Sequence, residues 1–326
     1  MATYKGIKGV KVVTKTSDPT ASEAAGTVWY NSTGDALKYA IEGAGAWASG
    51  GNLNTGRYAP GGAGTQTSAL CFGGLPPYTD ITESYNGSAW TEVNNLNTSR
   101  GYIASAGASN TSALAAAGAT SPTARVDNTE EWDGTSWTEK ADLNTARKSG
   151  PGGTGIVTAA ICFGGDGPSG RTQNTETWNG TSWTEVNNMT TTRQELCTGI
   201  GTYTAALAVG GSEPGIVAKT EKWDGTSWTA TNALNTARQM GGGFGTQTSG
   251  LVAGGEVPAA TDATETFDGT SWTAVANMGT ARGFLASGLA SPQSTGIIFA
   301  GYPASVMDPT EEWNDPVFTI KTVTVS

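Results

Sequence analysis

Hydrophobic positions along the chain fall into short clusters separated by Gly-rich and polar stretches. Six runs of small apolar residues end in a Gly pair or its Ala-Gly variant: LCFGG (70–74), AAAG (115–118), ICFGG (161–165), AVGG (208–211), VAGG (252–255) and IFAG (298–301). After each run come a variable polar loop, a Thr-Glu-x-aromatic segment, an NG or DG dipeptide where the next copy follows, and a segment that begins at Trp. Short runs rich in Thr, Val and aromatics, bounded by Gly and Asn or Asp, predict strands, and strong helix formers are sparse between them. The expected chain is all-β. The NG or DG marks a hairpin between the third and fourth strands of each unit, with positive φ expected at both turn residues. The first two strands are small and apolar, suited to close packing near a crowded axis.

The units repeat. YNGSAWTEVNNLNTSR (85–100) recurs as WDGTSWTEKADLNTAR (132–147), WNGTSWTEVNNMTTTR (178–193), WDGTSWTATNALNTAR (223–238) and FDGTSWTAVANMGTAR (267–282), with a period of 44 to 47 residues. A four-stranded unit at about this period predicts a β-propeller blade. Third-strand aromatics are Tyr85, Trp132, Trp178, Trp223, Phe267 and Trp313, and fourth-strand tryptophans are Trp47, Trp90, Trp137, Trp183, Trp228 and Trp272. Trp47 has no three strands before it and Trp313 no GTSW after it. The N-terminal strand is therefore expected to complete the last blade, closing a six-bladed ring and removing two exposed edges. All six fourth-strand tryptophans are read as structural.

Gly-Gly in the second strand, an aromatic in the third and Trp in the fourth resemble a kelch-repeat propeller over roughly residues 43–315. The chain departs from the common kelch pattern in its tight aromatic-DGTS-Trp spacing and in the similarity between its repeats. Its start, GVKVVTKTSDPTASEAAGTVWYNSTGDALKYA (9–40), resembles N-terminal segments of structural and tail-fibre proteins of marine tailed bacteriophages. Three parts follow: an attachment element at 1–42, the propeller at 43–315 and a C-terminal strand at 316–326. Residues 5–14 and 317–325 both alternate as strands do and are expected to pair in a small accessory sheet, with Trp29 and Tyr30 as anchors.

Composition narrows the chemistry. The 326 residues contain no His, which removes His-dependent triads, His-containing metal sites and the usual near-neutral proton shuttle. Cys71, Cys162 and Cys197 form no CxxC pair, so no cofactor and no metal are expected. Net charge is −10, with Lys5, Lys8, Lys11 and Lys15 unopposed at the start. Residues 47–326 hold 13 basic and 24 acidic groups, which argues against nucleic acid as a partner. The basic start reads as a solvated strand, with docking onto an acidic partner surface as the functional alternative. No apolar run reaches the roughly 18–20 residues of a membrane helix, and MATYKGIKGV lacks a signal-peptide core; neither membrane insertion nor general secretion is expected.

In a repeat protein, a residue found in every unit is scaffold and a functional one breaks the pattern. Arg57, Arg100, Arg147, Arg193, Arg238 and Arg282 are read as binding backbone carbonyls between blades. Glu83, Glu130, Glu176, Glu221, Glu265 and Glu311 are read as bonding strand ends; equivalent acids lack the asymmetry of a glycosidase pair. Cys71 and Cys162 are expected as buried free thiols, and Asp133, Asp224 and Asp268 as turn residues. Two variable sets remain. Tyr58, Tyr102, Lys148, Glu195, Met240 and Phe284 follow the repeated Arg and are expected to line a mouth of the central channel, with a single carboxylate among them. The loops after the Gly pairs are expected on the same face, contributing Tyr78, Arg125, Arg171 and Tyr302. Aromatics stack on sugars and Arg donates planar hydrogen bonds, so Tyr58, Tyr78, Tyr102, Arg125, Arg171 and Tyr302 are the candidate binding residues.

Together with the resemblance, these readings imply a non-enzymatic virion protein assembled in the host cytoplasm. The expected placement is a tail fibre or other host-facing appendage that binds a host-surface glycan or protein. Residues 1–42 would join other virion proteins, and a homo-oligomer is compatible. The alternatives are a capsid-decorating propeller and a glycan-cleaving tail enzyme.

Overall fold

The computed structural model describes residues 12–19, 27–42, 45–303, 305, 307–315 and 318–323. Lys5, Lys8, Lys11 and most of the strand expected at 5–14 lie outside the described residues. Every regular element among the described residues is a β-strand, and the chain divides into two compact units, one from Met1–Ala46 with Asp315–Ser326 and one from Trp47–Asn314.

The first unit forms a sheet in the order Val13–Lys15, Val28–Asn31, Ala36–Glu42, Phe318–Thr322. The two chain ends share this sheet without touching as neighbours, because the hairpin of Val28–Asn31 and Ala36–Glu42 lies between them. Trp29 is buried against Ala40 and Ile320, as an anchor should be, while Tyr30 is only half-buried and donates to Asp35. Asp18 gathers this unit: its carboxylate accepts from Trp29 Nε1 (3.2 Å), Asn31 Nδ2 (2.7 Å) and Lys38 Nζ (2.6 Å). Lys38 first and Asn31 next hold that carboxyl below its usual range.

The second unit contains six four-stranded antiparallel sheets, consistent with a β-propeller. We number them by their innermost strands: Gly61–Thr65, Ala104–Ser109, Gly152–Ile156, Ile200–Thr202, Gly242–Thr246 and Ala286–Ser287. In the first five, strand order follows the chain, as in Gly61–Thr65, Ser68–Phe72, Thr82–Tyr85, Trp90–Val93. In the sixth, Ala46–Ser49 from the start of the chain takes the fourth place, beside Thr310–Asn314. Innermost strands of successive sheets lie against each other, and the sixth lies against the first. Small residues make this possible: a Cβ on Gly62 would sit 2.6 Å from the Ser287 carbonyl oxygen of the sixth sheet, and one on Gly153 would sit 2.7 Å from the Ser105 backbone nitrogen of the second.

The hairpin at NG or DG differs from the expected two-residue turn. Trp132 pairs directly with Trp137, so four residues, 133–136, make the loop. Gly134 has φ +95°, but Asp133 is not in the left-handed region. Its carboxylate instead accepts from the N–H groups of Thr135 and Ser136, both at 2.8 Å, and these bonds hold its pKa below the usual range. Asn86, Asn179, Asp224 and Asp268 do the same in their own loops. The side chain closes the turn that a second positive φ was expected to close.

Two side-chain links join neighbouring sheets. Each fourth-strand Trp stacks against the third-strand aromatic of its own sheet, at 5.5 Å for Trp132–Trp137 and for Trp313–Trp47. Its indole N–H then crosses to the Thr of the preceding sheet's Thr-Glu: Trp90 to Thr310 (2.9 Å), Trp137 to Thr82 (3.1 Å), Trp183 to Thr129 (2.9 Å), Trp47 to Thr264 (3.1 Å). Five of the six tryptophans are buried and Trp47 is half-buried.

The second link corrects the reading of the Arg and Glu series. Each Arg ion-pairs with a Glu of the sheet that its crossing enters, at 2.7 Å for Arg193–Glu221 and Arg238–Glu265 and 2.8 Å for Arg282–Glu311, with every partner buried. Each Arg also binds carbonyls in or beside that same sheet, as Arg238 does those of Gly254 and Ala263, while Arg57 and Arg147 bind in addition Thr55 and Thr145 of their own crossings. Glu265 uses its other oxygen on the backbone N–H (2.7 Å) and side chain (2.8 Å) of Asn235, which pins the whole Asn-Thr-Ala-Arg crossing. Breaking such a pair strands a buried charge, so Arg238→Met or Glu265→Gln is expected to cost about 3–5 kcal/mol. The double variant Arg238→Met/Glu265→Leu is expected to cost less than the sum; additive losses in a urea-melt double-mutant cycle would show that the two do not act as a pair.

Candidate functional site

Where each crossing enters the next sheet, the second residue after the Arg turns left-handed: Ala59, Tyr102, Ser149, Glu195, Met240 and Phe284 have φ between 51° and 59°. This conformation costs a non-glycine residue on the order of 1–2 kcal/mol and persists only where its surroundings fix it. Backbone bonds from sheet to sheet fix it: Ala59 N–H donates to Phe284 O (2.9 Å), Tyr102 to Ala59 (2.8 Å), Glu195 to Ser149 (2.7 Å) and Met240 to Glu195 (2.9 Å). Equivalence therefore runs through the second residue after the Arg, which removes Tyr58 and Lys148 from the set in which the sequence pattern placed them. Those two follow the Arg directly and bridge to the loops after the Gly pairs, Tyr58 to Leu75 and Lys148 to Asp166. Gln194–Ser212, Gln239–Glu256 and Gly283–Tyr302 repeat the bridge, so crossings and variable loops share one face.

Residues from all six sheets line a cavity of about 40 Å³ beneath this belt, including Pro60, Ile103, Pro151, Leu196, Gly241 and Leu285. That volume holds at most a few waters.

On one side of the mouth, Tyr58, Tyr102, Phe284 and Tyr302 form an edge-to-face cluster. Ring centroids are 5.6 Å apart for Tyr58–Phe284 and Tyr58–Tyr302, and 6.2 Å for Tyr102–Phe284 and Phe284–Tyr302. These rings come from the sixth, first and second sheets, which lie side by side. Tyr302 is 43% exposed while Tyr58, Tyr102 and Phe284 are half-buried, leaving ring surface open to a ligand. Burial first, then the neighbouring Tyr58 and Tyr78, pushes the Tyr102 hydroxyl up; burial and Tyr58 do the same for Tyr78. Four of the six candidate binding residues thus fall in or beside one cluster, and Phe284 completes it.

Arg125 and Arg171 belong to a charged arc from the second to the fifth sheets. Arg125 Nη2 is bound to Asp166 Oδ2 at 3.1 Å, and Arg171 is exposed. Glu195 is half-buried, and burial raises its pKa; Arg171 opposes the shift, whereas Glu256 and Asp166 add to it. Glu195 is the single carboxylate of the set that follows the Arg, and Asp166 and Glu256, each the first residue after a Gly pair, act on it from the adjoining loops. The signal that places them is the bridge between loop and crossing, which joins Asp166 to Lys148 and Glu256 to Gln239.

The three cysteines are free and buried, and burial pushes Cys71 and Cys162 up to about 12. Such thiols are poor nucleophiles. Among the described residues, no group of three or more Cys, Asp and Glu is arranged to hold a metal ion.

A carboxyl with a raised pKa keeps its proton longer in the folded chain than in the unfolded one. Folding therefore loses stability as pH rises from the ordinary Glu value of 4.5 through the raised one. Glu195→Gln removes this loss, and the variant is expected to gain in melting temperature over the parent as pH rises above 4.5. A difference that stays flat with pH would show that Glu195 titrates normally. Compared with known proteins, the chain matches no family model and no curated protein sequence.

Proposed function

We propose that this chain is a closed six-bladed kelch-like propeller that binds carbohydrate at its loop-bearing mouth, as a non-enzymatic component of a bacteriophage virion. Ring closure is supported by the backbone bond from each Gly pair to the next Arg carbonyl, a series that includes Gly74 to Arg100 (2.8 Å) and ends with Gly301 to Arg57 (3.0 Å). The Trp313–Trp47 pair, which repeats the contact made inside the other sheets, supports it too.

The observation that carries the binding function is the cluster of Tyr58, Tyr102, Phe284 and Tyr302, with Glu195 near enough to act on the Tyr102 hydroxyl and Arg171 near enough to act on Glu195. A pyranose has an apolar C–H face and a rim of hydroxyls. The ring cluster offers flat apolar surface for the face, and the adjacent charged groups offer donors and acceptors for the rim. The virion setting rests on the resemblance of residues 9–40 to phage structural and tail-fibre proteins, and it assigns residues 1–42 to attachment.

Screening the purified chain on an array of bacterial surface glycans and measuring the best ligand by calorimetry tests the proposal. Tyr58→Ala and Tyr302→Ala are each expected to weaken binding by roughly tenfold with little change in melting temperature. Absence of any bound glycan, or unchanged affinity in both variants, would overturn the reading. The grouping of Glu195 with Asp166 and Glu256 favours one alternative, a glycan-cleaving enzyme. Release of reducing ends that is abolished by Glu195→Gln would establish that alternative instead.

A further inference from the structure

The innermost strands begin at the aromatic mouth and end in the hairpin turns that lead to the second strands. At those turns an amide side chain ties four of the six sheets to the one before it. Gln66 Nε2 donates to Trp313 O (2.9 Å) of the sixth sheet, Asn110 Nδ2 to Tyr85 O (3.2 Å) of the first, Gln247 Nε2 to Ala206 O (3.1 Å) of the fourth, and Gln293 Nε2 to Gly250 O (2.7 Å) of the fifth. In two places the amide oxygen also accepts from a serine of the preceding sheet, Ser68 for Asn110 and Ser249 for Gln293.

The third and fourth sheets break this device. Val157 and Tyr203 stand where the others carry Gln or Asn, and Ala159 and Ala205 stand where the first, second and fifth carry Ser. Ile156 replaces the Thr or Ser of Thr65, Ser109, Thr202 and Thr246. Among the described residues of the second unit, the exposed large hydrophobics are Tyr302 at the first mouth and Ile156 (45%) and Tyr203 (41%) here. Single exposed apolar residues need no explanation, but these two flank an open cavity of about 530 Å³ that is also lined by Ala159, Thr246, Leu289 and Ser291. That volume falls within the usual range of small-ligand sites.

We infer that this cavity, at the end of the propeller axis away from the variable loops, is a second binding site. It takes a compact apolar ligand, an aromatic or branched aliphatic group, which Ile156, Tyr203 and Leu289 cover. The site exists because two adjacent repeats gave up the amide tie that would have drawn their turns together.

The test uses the full chain and p-cresol as probe, titrated by calorimetry and by saturation-transfer NMR. Saturable one-site binding is expected. Val157→Gln/Tyr203→Gln, which copies the residues at positions 66 and 247, is expected to keep or raise the melting temperature and weaken p-cresol binding at least tenfold. Ile156→Thr, a copy of Thr65 and Thr246, gives an independent variant with a smaller loss. No saturable binding to the parent chain, or unchanged binding in the folded variants, would overturn the inference.

Discussion

At every crossing between neighbouring sheets an arginine has left water, and one glutamate decides whether that is tolerable. Taking both charges out of solvent costs several kcal/mol each, which the attraction between them offsets only when the geometry is good and the remaining lone pairs are met. In this chain Glu265 meets Arg238 with one oxygen and the Asn235 backbone and side chain with the other. The demand is the same six times over, so Thr-x-Arg and Thr-Glu recur in every repeat; Asn precedes the Thr in four, and Thr190 and Gly279 in its place still give Glu221 and Glu311 a backbone N–H. Thr-Glu serves two interfaces at once: Glu265 holds the crossing into its own sheet, while Thr264 receives the indole of Trp47 in the next.

Most of the architecture was legible because burial leaves a pattern. Trp47 and Trp313 were recognisable as halves of one sheet since each lacked what the other supplies, and they sit 5.5 Å apart. What was not legible depends on geometry that spacing does not encode. Arg57 and Glu83 are 26 residues apart and looked like two separate series. The DG dipeptide suggested a two-residue turn, yet pairing Trp132 with Trp137 forces four residues between them. Tyr58 and Tyr102 looked like equivalents, but only the backbone shows that Tyr102 is left-handed and Tyr58 is not.

Among the candidate binding residues, the aromatic ones converge for a reason that sequence could only suggest: their loops bridge to the crossings beside them. Asp166 and Glu256 were missed because the variable loops they open were searched for aromatics and arginines, not for acids. The broken amide ties were hidden more thoroughly. GTQTS at 64–68 and 245–249 reads as a turn, and a change to GIVTA or GTYTA reads as drift until Gln66 and Gln247 are seen reaching the preceding sheet.

The belt of left-handed residues shows why this scaffold can hold side chains still at its mouth. Glycine would adopt these φ values without strain, yet none of the six positions carries it. Each side chain there must recover the strain through its contacts, and the larger ones do so differently. Phe284 and Tyr102 recover it in the ring cluster, and Met240 reaches across to Gly150 of the third sheet. Glu195 has no comparable apolar contact and is instead held among opposing charges. A backbone bonded from sheet to sheet leaves these residues no cheaper conformation to relax into, so their side chains converge before any ligand arrives. Preorganisation of this kind reduces the ordering cost of binding, and it places the chemical difference between the aromatic and charged arcs in the side chains alone.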